Sequence, residues 1–228
     1  MEAYKGQILK FIAPNYLADW RAQTFATKEP ETLDWIDSMP DECVLWDVGA
    51  SVGIYSLYAA QSKDAKVFAF EPSIFNLELL ARNISHNKLH EKICIVPIAL
   101  SNKTSFNTMH MTSTDMGSAL ATFGEVFGWD GEEIDHNFSF NTIGITMDDA
   151  VLHLKIPFPN YIKIDVDGLE HLILLGGQKV LEQVESVLIE VNDNFIEQAE
   201  GVEKALIDCG LTLVDKRHSS YEFSDDSH

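Results

Sequence analysis

Two acids in this chain stand where a cationic nucleoside would need them. Asp47 closes the apolar run Val44-Leu45-Trp46, and the chain then enters the turn Val48-Gly49-Ala50-Ser51-Val52-Gly53. Glu71 closes a second apolar run, Val67-Phe68-Ala69-Phe70, and is followed by Pro72. Glycines at 49 and 53 let the backbone turn tightly and approach a ligand. An acid ending the second strand accepts hydrogen bonds from two ribose hydroxyls, as in dinucleotide-binding folds. Asp47, just before the turn, suits an ammonium group. A third cluster follows downstream: Lys163, Asp165 and Asp167 alternate with Ile162, Ile164 and Val166, so the polar side chains share one face of a strand and run into its carboxyl end. Asp165 is the first candidate for contact with the reacting centre. Asp167, Glu170 and His171 follow at once as candidate acid/base groups, with His136 a lesser one. The plainer reading pairs Lys163 with Asp165 as mutually neutralising charges and turns His171 to solvent.

These residues need elements to hold them. From residue 44 the pattern runs strand, turn, helix, strand. Helices are expected at 54–62 and 75–87, the latter with Leu77, Leu80, Ala81 and Ile84 on one face, and a third buried strand at 93–100. After an irregular stretch come a short helix within 143–154, a strand at 161–166, a helix at 169–181 broken at Gly176-Gly177, a strand at 187–192, and a helix at 197–209 capped by Gly210. Such alternation predicts an α/β fold: a mostly parallel sheet with helices on both faces. Ligands of such sheets sit beyond the strand carboxyl ends at the topological switch point, and Asp47, Glu71, Leu100, Asp165 and Asn192 all fall at or near such ends. Residues 1–42 read as a helical arm, with apolar residues at helical spacing in 16–20 and 32–36 and Pro30 and Pro40 bracketing the second segment. The main domain spans 43–223. Within it, residues 102–142 are rich in Thr, Ser, Asn, Gly and Met and read as a lid-like insertion with one short strand in 104–111. Residues 211–217 and 221–223 are expected to pair as a closing hairpin, and 224–228 form a tail.

Composition narrows the function classes. The chain has 228 residues, 46% of them hydrophobic, enough for one domain with a substantial core. Its net charge is −20, from 16 basic and 36 acidic residues. Nucleic-acid binding rests on Lys and Arg neutralising phosphates, so a chain this acidic is a poor nucleic-acid binder, and anionic membrane surfaces are disfavoured for the same reason. No apolar run approaches the roughly 20 residues of a membrane span, and residues 1–10 lack the basic-then-apolar order of a secretory signal. Cys43, Cys94 and Cys209 are odd in number and far apart, which fits reduced thiols in the cytoplasm; Cys94, within an apolar run, is expected in the core. The sequence leaves the oligomeric state open.

A nicotinamide dinucleotide would need G-x-G-x-x-G, because its pyrophosphate sits on the helix N-terminus. Here the spacing is Gly49-x-x-x-Gly53, and Asp47 stands where it would repel a pyrophosphate. The two acids with the glycines favour S-adenosylmethionine as cofactor. An NAD(P)-dependent oxidoreductase and a non-catalytic binding module that keeps the fold remain as the alternatives.

The chain resembles the FkbM family of methyltransferases. Residues Asp47 to Gly53 resemble its D-V-G-A-x-x-G, and Phe70-Glu71-Pro72 its F-E-P. Asn83 and Asn87 resemble the asparagines of the following helix, Ala99-Leu100-Ser101 its A-L-S, and Thr146-Met147-Asp148-Asp149 its T-L-D-D. Residues Ile162 to Glu170 resemble I-K-I-D-V-E-G-x-E, with Asp167 one methylene shorter than the family's Glu. The resemblance implies a Rossmann-like class I methyltransferase fold, S-adenosylmethionine, and methylation of a hydroxyl on a small-molecule acceptor such as a sugar or glycan precursor. By position it implies that Asp47, Gly49, Ala50 and Gly53 line the methionine part of the cofactor, that Glu71 holds the ribose, and that Pro72, Ala99 and Leu100 border the adenine; Ser51 and Ser101 lie inside the same motifs and are counted with them. A hydroxyl acceptor must lose its proton, which calls for a general base or a metal. Asp165 with Glu190 and Asn192 resembles the ligand set of catechol-type O-methyltransferases, whose hard oxygens would favour magnesium or calcium.

Overall fold

The computed structural model describes residues 1–217. The arm begins with a small antiparallel hairpin, β1 (Glu2–Tyr4) and β2 (Gln7–Leu9), which the sequence reading missed. Two helices follow as expected, α1 (Tyr16–Gln23), capped by the Asn15 side chain, and α2 (Pro30–Ser38), opened by its proline. The arm does not stand free. Asn83 and Asn87 bind it to the body: Asn83 accepts from the Ile12 amide at 2.8 Å, and Asn87 exchanges two hydrogen bonds with the Lys10 backbone at 2.9 and 2.7 Å.

The body is a five-stranded parallel sheet. Its strands are β3 (Val44–Val48), β4 (Lys66–Phe70), β5 (Ile93–Val96), β10 (Tyr161–Ile164) and β11 (Ser186–Ile189), in the order β11-β10-β3-β4-β5. Alternating side chains fill two cores. Leu45, Val67 and Ala69 face α2, α3 (Ile54–Ser62) and α4 (Ile74–Asn87), while Trp46, Val48, Phe68, Phe70, Ile162 and Ile164 face the other side. There they meet α5 (Met147–Leu154), α6 (Glu170–Leu175), α7 (Gln178–Leu181) and α8 (Ile196–Asp208). The chain leaves the centre at β3 toward β4 and β5 and returns on the other side through β10, so the switch point lies between β3 and β10.

Four expectations needed correction. The strand expected at 93–100 breaks after Val96. Pro97 has no amide to donate to a ladder, and the chain leaves the sheet to form β6 (Ala99–Leu100) in a second one. Cys94, expected in the core, is exposed, because β5 is an edge strand. Residues 102–142 hold more than the short strand expected in 104–111, which is present as β7 (Ser105–Met111): β8 (Ala121–Phe123) and β9 (Phe138–Ile145) join it and β6 in a four-stranded sheet ordered β6-β9-β7-β8. Its core is Met109, Met111, Phe123, Phe138 and Phe140, alternating with Thr, Asn, Ser and His. The alternation is real, but its polar half hid it. Residues 211–217 carry no strand, and the expected partner at 221–223, like the tail at 224–228, falls outside the described residues. Among the described residues no helix is long and apolar enough to cross a membrane.

Candidate active site

At the switch point the backbone of one strand end lies against the next. Val48 pairs with Ile164, and the Asp165 amide donates to the Val48 carbonyl at 3.1 Å. Gly49 follows with φ +79°, and a Cβ there would lie 1.8 Å from the Asp165 carbonyl oxygen. Only glycine fits that close approach. The turn is then tied to β4: the Gly49 and Ala50 amides both donate to the Phe70 carbonyl at 3.0 Å, and the Gly53 amide to Ala50 at 2.8 Å. Ser51 takes a left-handed φ of 49° that aims its amide at Glu71 Oε2, 2.7 Å away. Glu71 Oε1 accepts from the Ser73 amide, also at 2.7 Å. Each oxygen keeps a further lone pair. Burial pushes the Glu71 carboxyl up to about 7, against those two amides and with Asp167 and Asp47 adding to the rise.

Asp47 is buried, and its Oδ2 accepts from Ser56 Oγ at 2.5 Å. Among the described residues its Oδ1 has no hydrogen-bond partner, and neither does Ser51 Oγ. Burial raises the Asp47 carboxyl against the pull of Lys163, its neighbour in register on β10. Lys163 is the one cation of a buried acid cluster. Its Nζ is 2.8 Å from Asp165 Oδ2 and 5.1 Å from the centre of the Tyr55 ring. Burial alone would lower its pKa, but Asp165, Asp47 and Glu29 together hold it above the usual range. Asp165 shows the reverse: burial opposes ionisation, yet the Lys163 ammonium and a hydrogen bond with Glu190 hold it well below the usual carboxylate range. The charge of Asp165, and burial after it, push the Glu190 carboxyl up, so Glu190 carries the proton of that pair. The plainer expectation of a Lys163–Asp165 pair is thus met, with Lys163 buried and Asp165 at the cleft.

A cleft of about 40 Å³ lies over this floor, lined by Gly49, Ala50, Ser51, Val52, Lys163 and Asp165, and by Arg21, Thr24, Phe25, Lys28 and Glu29 from the arm. Ligand sites usually run to a few hundred Å³, so the cleft as it stands is small for one. Arm residues 21–29 form its roof, and α1 is braced in turn by residues 115–120. Asn15 donates to the Met116 carbonyl at 3.0 Å and Arg21 Nε to that of Gly117 at 2.5 Å. Asn76 bonds the Ser118 carbonyl and the Gly117 amide at 3.1 and 2.8 Å. Asp167, with a left-handed φ of 60°, accepts from the Leu120 amide at 2.7 Å; burial, then the Asp165 charge, raise its carboxyl to about 6. A larger hollow of about 410 Å³, lined by Lys10, Gln61, His86 and Lys88 among others, lies by the C-terminal end of α4, at the opposite edge of the sheet from this chemistry.

The remaining candidates sit elsewhere. Glu170 turns under the loop that ends β10, accepting from the Val166 and Gly168 amides at 2.9 and 3.0 Å and from Gln198 Nε2. Burial raises its carboxyl to about 7. Its lone pairs organise the loop rather than face the cleft. His171 does not face solvent: it is buried at the α6–α8 contact against Phe195 and Gly201, its Nδ1 unpartnered, and burial lowers its pKa. His136 stacks edge-on against His110 on the second sheet, 4.7 Å between centroids. Ala99 and Leu100 are core residues at the junction of the sheets, and Ser101 bonds back to Ile145 beside them. Pro72 lies between Glu71 and the Ser73 cap of α4. Asp165 meets Glu190, but the Asn192 side chain is engaged within the chain, donating to the Trp129 carbonyl at 3.2 Å and accepting at Oδ1 from the Asn194 amide at 3.0 Å. Among the described residues no group of three or more His, Cys, Asp or Glu is arranged to hold a metal ion. Sequence reasoning missed Arg21, Lys28, Glu29, Tyr55 and Ser56. Ser56 and Tyr55 lie in the first turn of α3, just after the glycine turn that follows Asp47, whereas nothing in the arm's sequence marks its charged residues as roof.

The pattern that defines the Methyltransferase FkbM domain matches residues 47–213. The chain belongs to the FkbM methyltransferase family. It is 24% identical over 187 residues to the hexuronic acid methyltransferase AglP of Haloferax volcanii, covering 82% of this chain and 72% of that one. It is 26% identical over 186 residues to the AMB antimetabolite synthetase AmbE of Pseudomonas aeruginosa, covering 68% of this chain but only 9% of that protein. The fold is similar to that of the FkbM methyltransferase of Methylobacillus flagellatus, with a TM-score of 0.53 at 15% identity over 75% of this chain and 38% of that one. The sheet order and helical layers are those of a class I methyltransferase.

Proposed function

We propose that this FkbM protein is an S-adenosylmethionine-dependent O-methyltransferase acting on a hydroxyl of a small sugar or glycan precursor. One observation carries the cofactor half: beside a glycine turn at the switch point, two buried polar atoms, Asp47 Oδ1 and Ser51 Oγ, lack partners among the described residues, next to the buried carboxylate of Glu71. Buried polar atoms are almost always paired, so these fit a ligand that brings hydrogen-bond donors. Asp47 and Ser51 take the ammonium of the methionine tail, and Glu71 accepts the ribose hydroxyls through its free lone pairs. When bound, S-adenosylmethionine supplies a methyl group on a cationic sulfur, ready for in-line displacement.

The chain's own part is alignment and proton handling. Asp165 is too strongly ionised to be a good base. It accepts a hydrogen bond from the acceptor hydroxyl and orients it. Asp167, at about 6, matches the protonation range of a general base better, and takes the proton. Closure of the roof, braced by residues 115–120, excludes water. The acceptor class is supported by the likeness to a hexuronic acid methyltransferase.

The test is transfer of labelled methyl from S-adenosylmethionine to glycosides of glucuronate, galacturonate and glucose. Label in an alkali-stable ether, lost in Asp165→Asn while cofactor affinity holds, is the expected result. Label released by mild alkali marks a methyl ester and overturns the hydroxyl reading. Undiminished turnover in Asp165→Asn removes that residue from the chemistry.

A further inference from the structure

The floor of the cleft answers the cations of the proposed cofactor and leaves its anion without a counterpart. The roof supplies one. Arg21 and Lys28 both line the cleft from the arm, across from residues 49–52, in a chain with 16 basic residues against 36 acidic ones. The third cation there, Lys163, is already paired with Asp165. Arg21 is held at one end: Nε donates to the Gly117 carbonyl, while its two terminal nitrogens make no hydrogen bond among the described residues. A guanidinium fixed through Nε presents those nitrogens as a planar fork, the geometry that grips a carboxylate with two parallel bonds. Lys28 Nζ lies 2.8 Å from Glu29 Oε1 and has donors to spare.

We propose that Arg21, with Lys28, forms a carboxylate-binding subsite in the roof, and that it takes the carboxylate of the cofactor's methionine tail. The inference rests on the cofactor reading above. In that tail the ammonium and the carboxylate share one carbon, so the cation that meets the carboxylate must lie within a few ångströms of Asp47 and Ser51, across the same narrow cleft. The carboxylate of an acidic sugar is the other source of the same chemistry. The arrangement also couples binding to closure, since Arg21 reaches the ligand and the 115–120 segment with one guanidinium.

The test uses the full chain and two ligands, S-adenosylhomocysteine and 5′-methylthioadenosine, which lacks the amino-acid tail. Arg21→Met is expected to weaken S-adenosylhomocysteine about ten- to a hundredfold, the loss typical of a charged hydrogen-bonded pair, and Lys28→Met a few-fold, with 5′-methylthioadenosine unchanged within about twofold. Arg21→Lys keeps the charge without the fork and recovers part of the affinity. Unchanged S-adenosylhomocysteine binding, with glucuronate but not glucose bound more weakly by the loaded variant, assigns the subsite to the acceptor's carboxylate. Equal weakening of both nucleosides means that Arg21 only fastens the roof, and overturns the proposal, as does no change for any ligand. If the unaltered chain binds neither nucleoside, the cofactor reading falls and this subsite with it, a result distinct from losses confined to the variants.

Discussion

The turn at residues 47–53 lines one side of the cleft, residues 115–120 brace the arm that lines the other, and the two are held by opposite means. The turn is fixed by backbone: amides of Gly49, Ala50 and Gly53 bond within the turn or to the strand beside it, and Gly49 fits against Asp165 with no space for a side chain. The segment 115–120 is fixed by four distant side chains, Asn15 and Arg21 of α1, Asn76 of α4 and Asp167 after β10. A floor held by backbone cannot yield without unfolding the sheet edge. A brace held by five side-chain bonds opens at modest cost. The site is thus a rigid cradle with a removable cover, and the two halves should respond differently to change.

The largest effect is expected at the floor. Gly49→Ala combines a left-handed φ with a Cβ driven into the Asp165 carbonyl, and should cost roughly 2–6 kcal/mol, the sum of backbone strain and forced displacement. Denaturant titration measures it; a cost under about 1 kcal/mol would break the idea of a rigid cradle. Lys163→Met comes next. It leaves the buried Asp47 and the half-buried Asp165 without their cation, a change expected to cost about 3–5 kcal/mol. Adding Asp165→Asn should recover part of that loss, and strict additivity would contradict the pairing.

The roof should show smaller and local effects. Asn76→Ala removes two bonds to residues 117 and 118 and is expected to cost about 1–3 kcal/mol. Hydrogen exchange should speed up across 113–120 and stay slow at 47–53. Equal acceleration in both would merge the two halves into one unit.

A pH titration sharpens the contrast within the floor. Glu71 titrates at about 7 in the folded chain, against 4.5 as its ordinary value. The folded state therefore keeps a proton that the unfolded state has lost, and the contribution of Glu71 to stability falls as pH rises from about 4.5 to about 7. Accepting ribose hydroxyls needs the carboxylate, so cofactor affinity should move the other way and tighten about tenfold between about pH 6 and about pH 8. Glu71→Gln should bind more weakly and lose that slope; a slope that survives would assign it to another group.

The same contrast explains what the sequence disclosed. The floor was legible because its determinants are local. Asp47, the glycines and Glu71 sit within one strand–turn–helix–strand unit, and residues 54–62 form the expected helix to the residue. The switch point followed from strand order, and Asp165 from alternation on β10. The roof was not legible because its partners are 41 to 101 residues apart in the chain, and neither composition nor period records such contacts. The second sheet escaped for a related reason: its inward Met and Phe residues alternate with Thr, Asn and Ser, which read as loop. Glu170 and His171 were placed beside Asp165 by sequence proximity, but the turn at Asp167-Gly168 carries both away from the cleft, one under its own loop and one into a helix contact.

The most direct test of the account is a calorimetric titration of the chain with S-adenosylhomocysteine, run beside one with NADH and repeated on Asp47→Ala and Glu71→Ala. Saturable one-to-one binding of S-adenosylhomocysteine alone, weakened in both variants that remain folded, is the result the account predicts. Binding of NADH alone, or S-adenosylhomocysteine affinity unaltered in both variants, would contradict it.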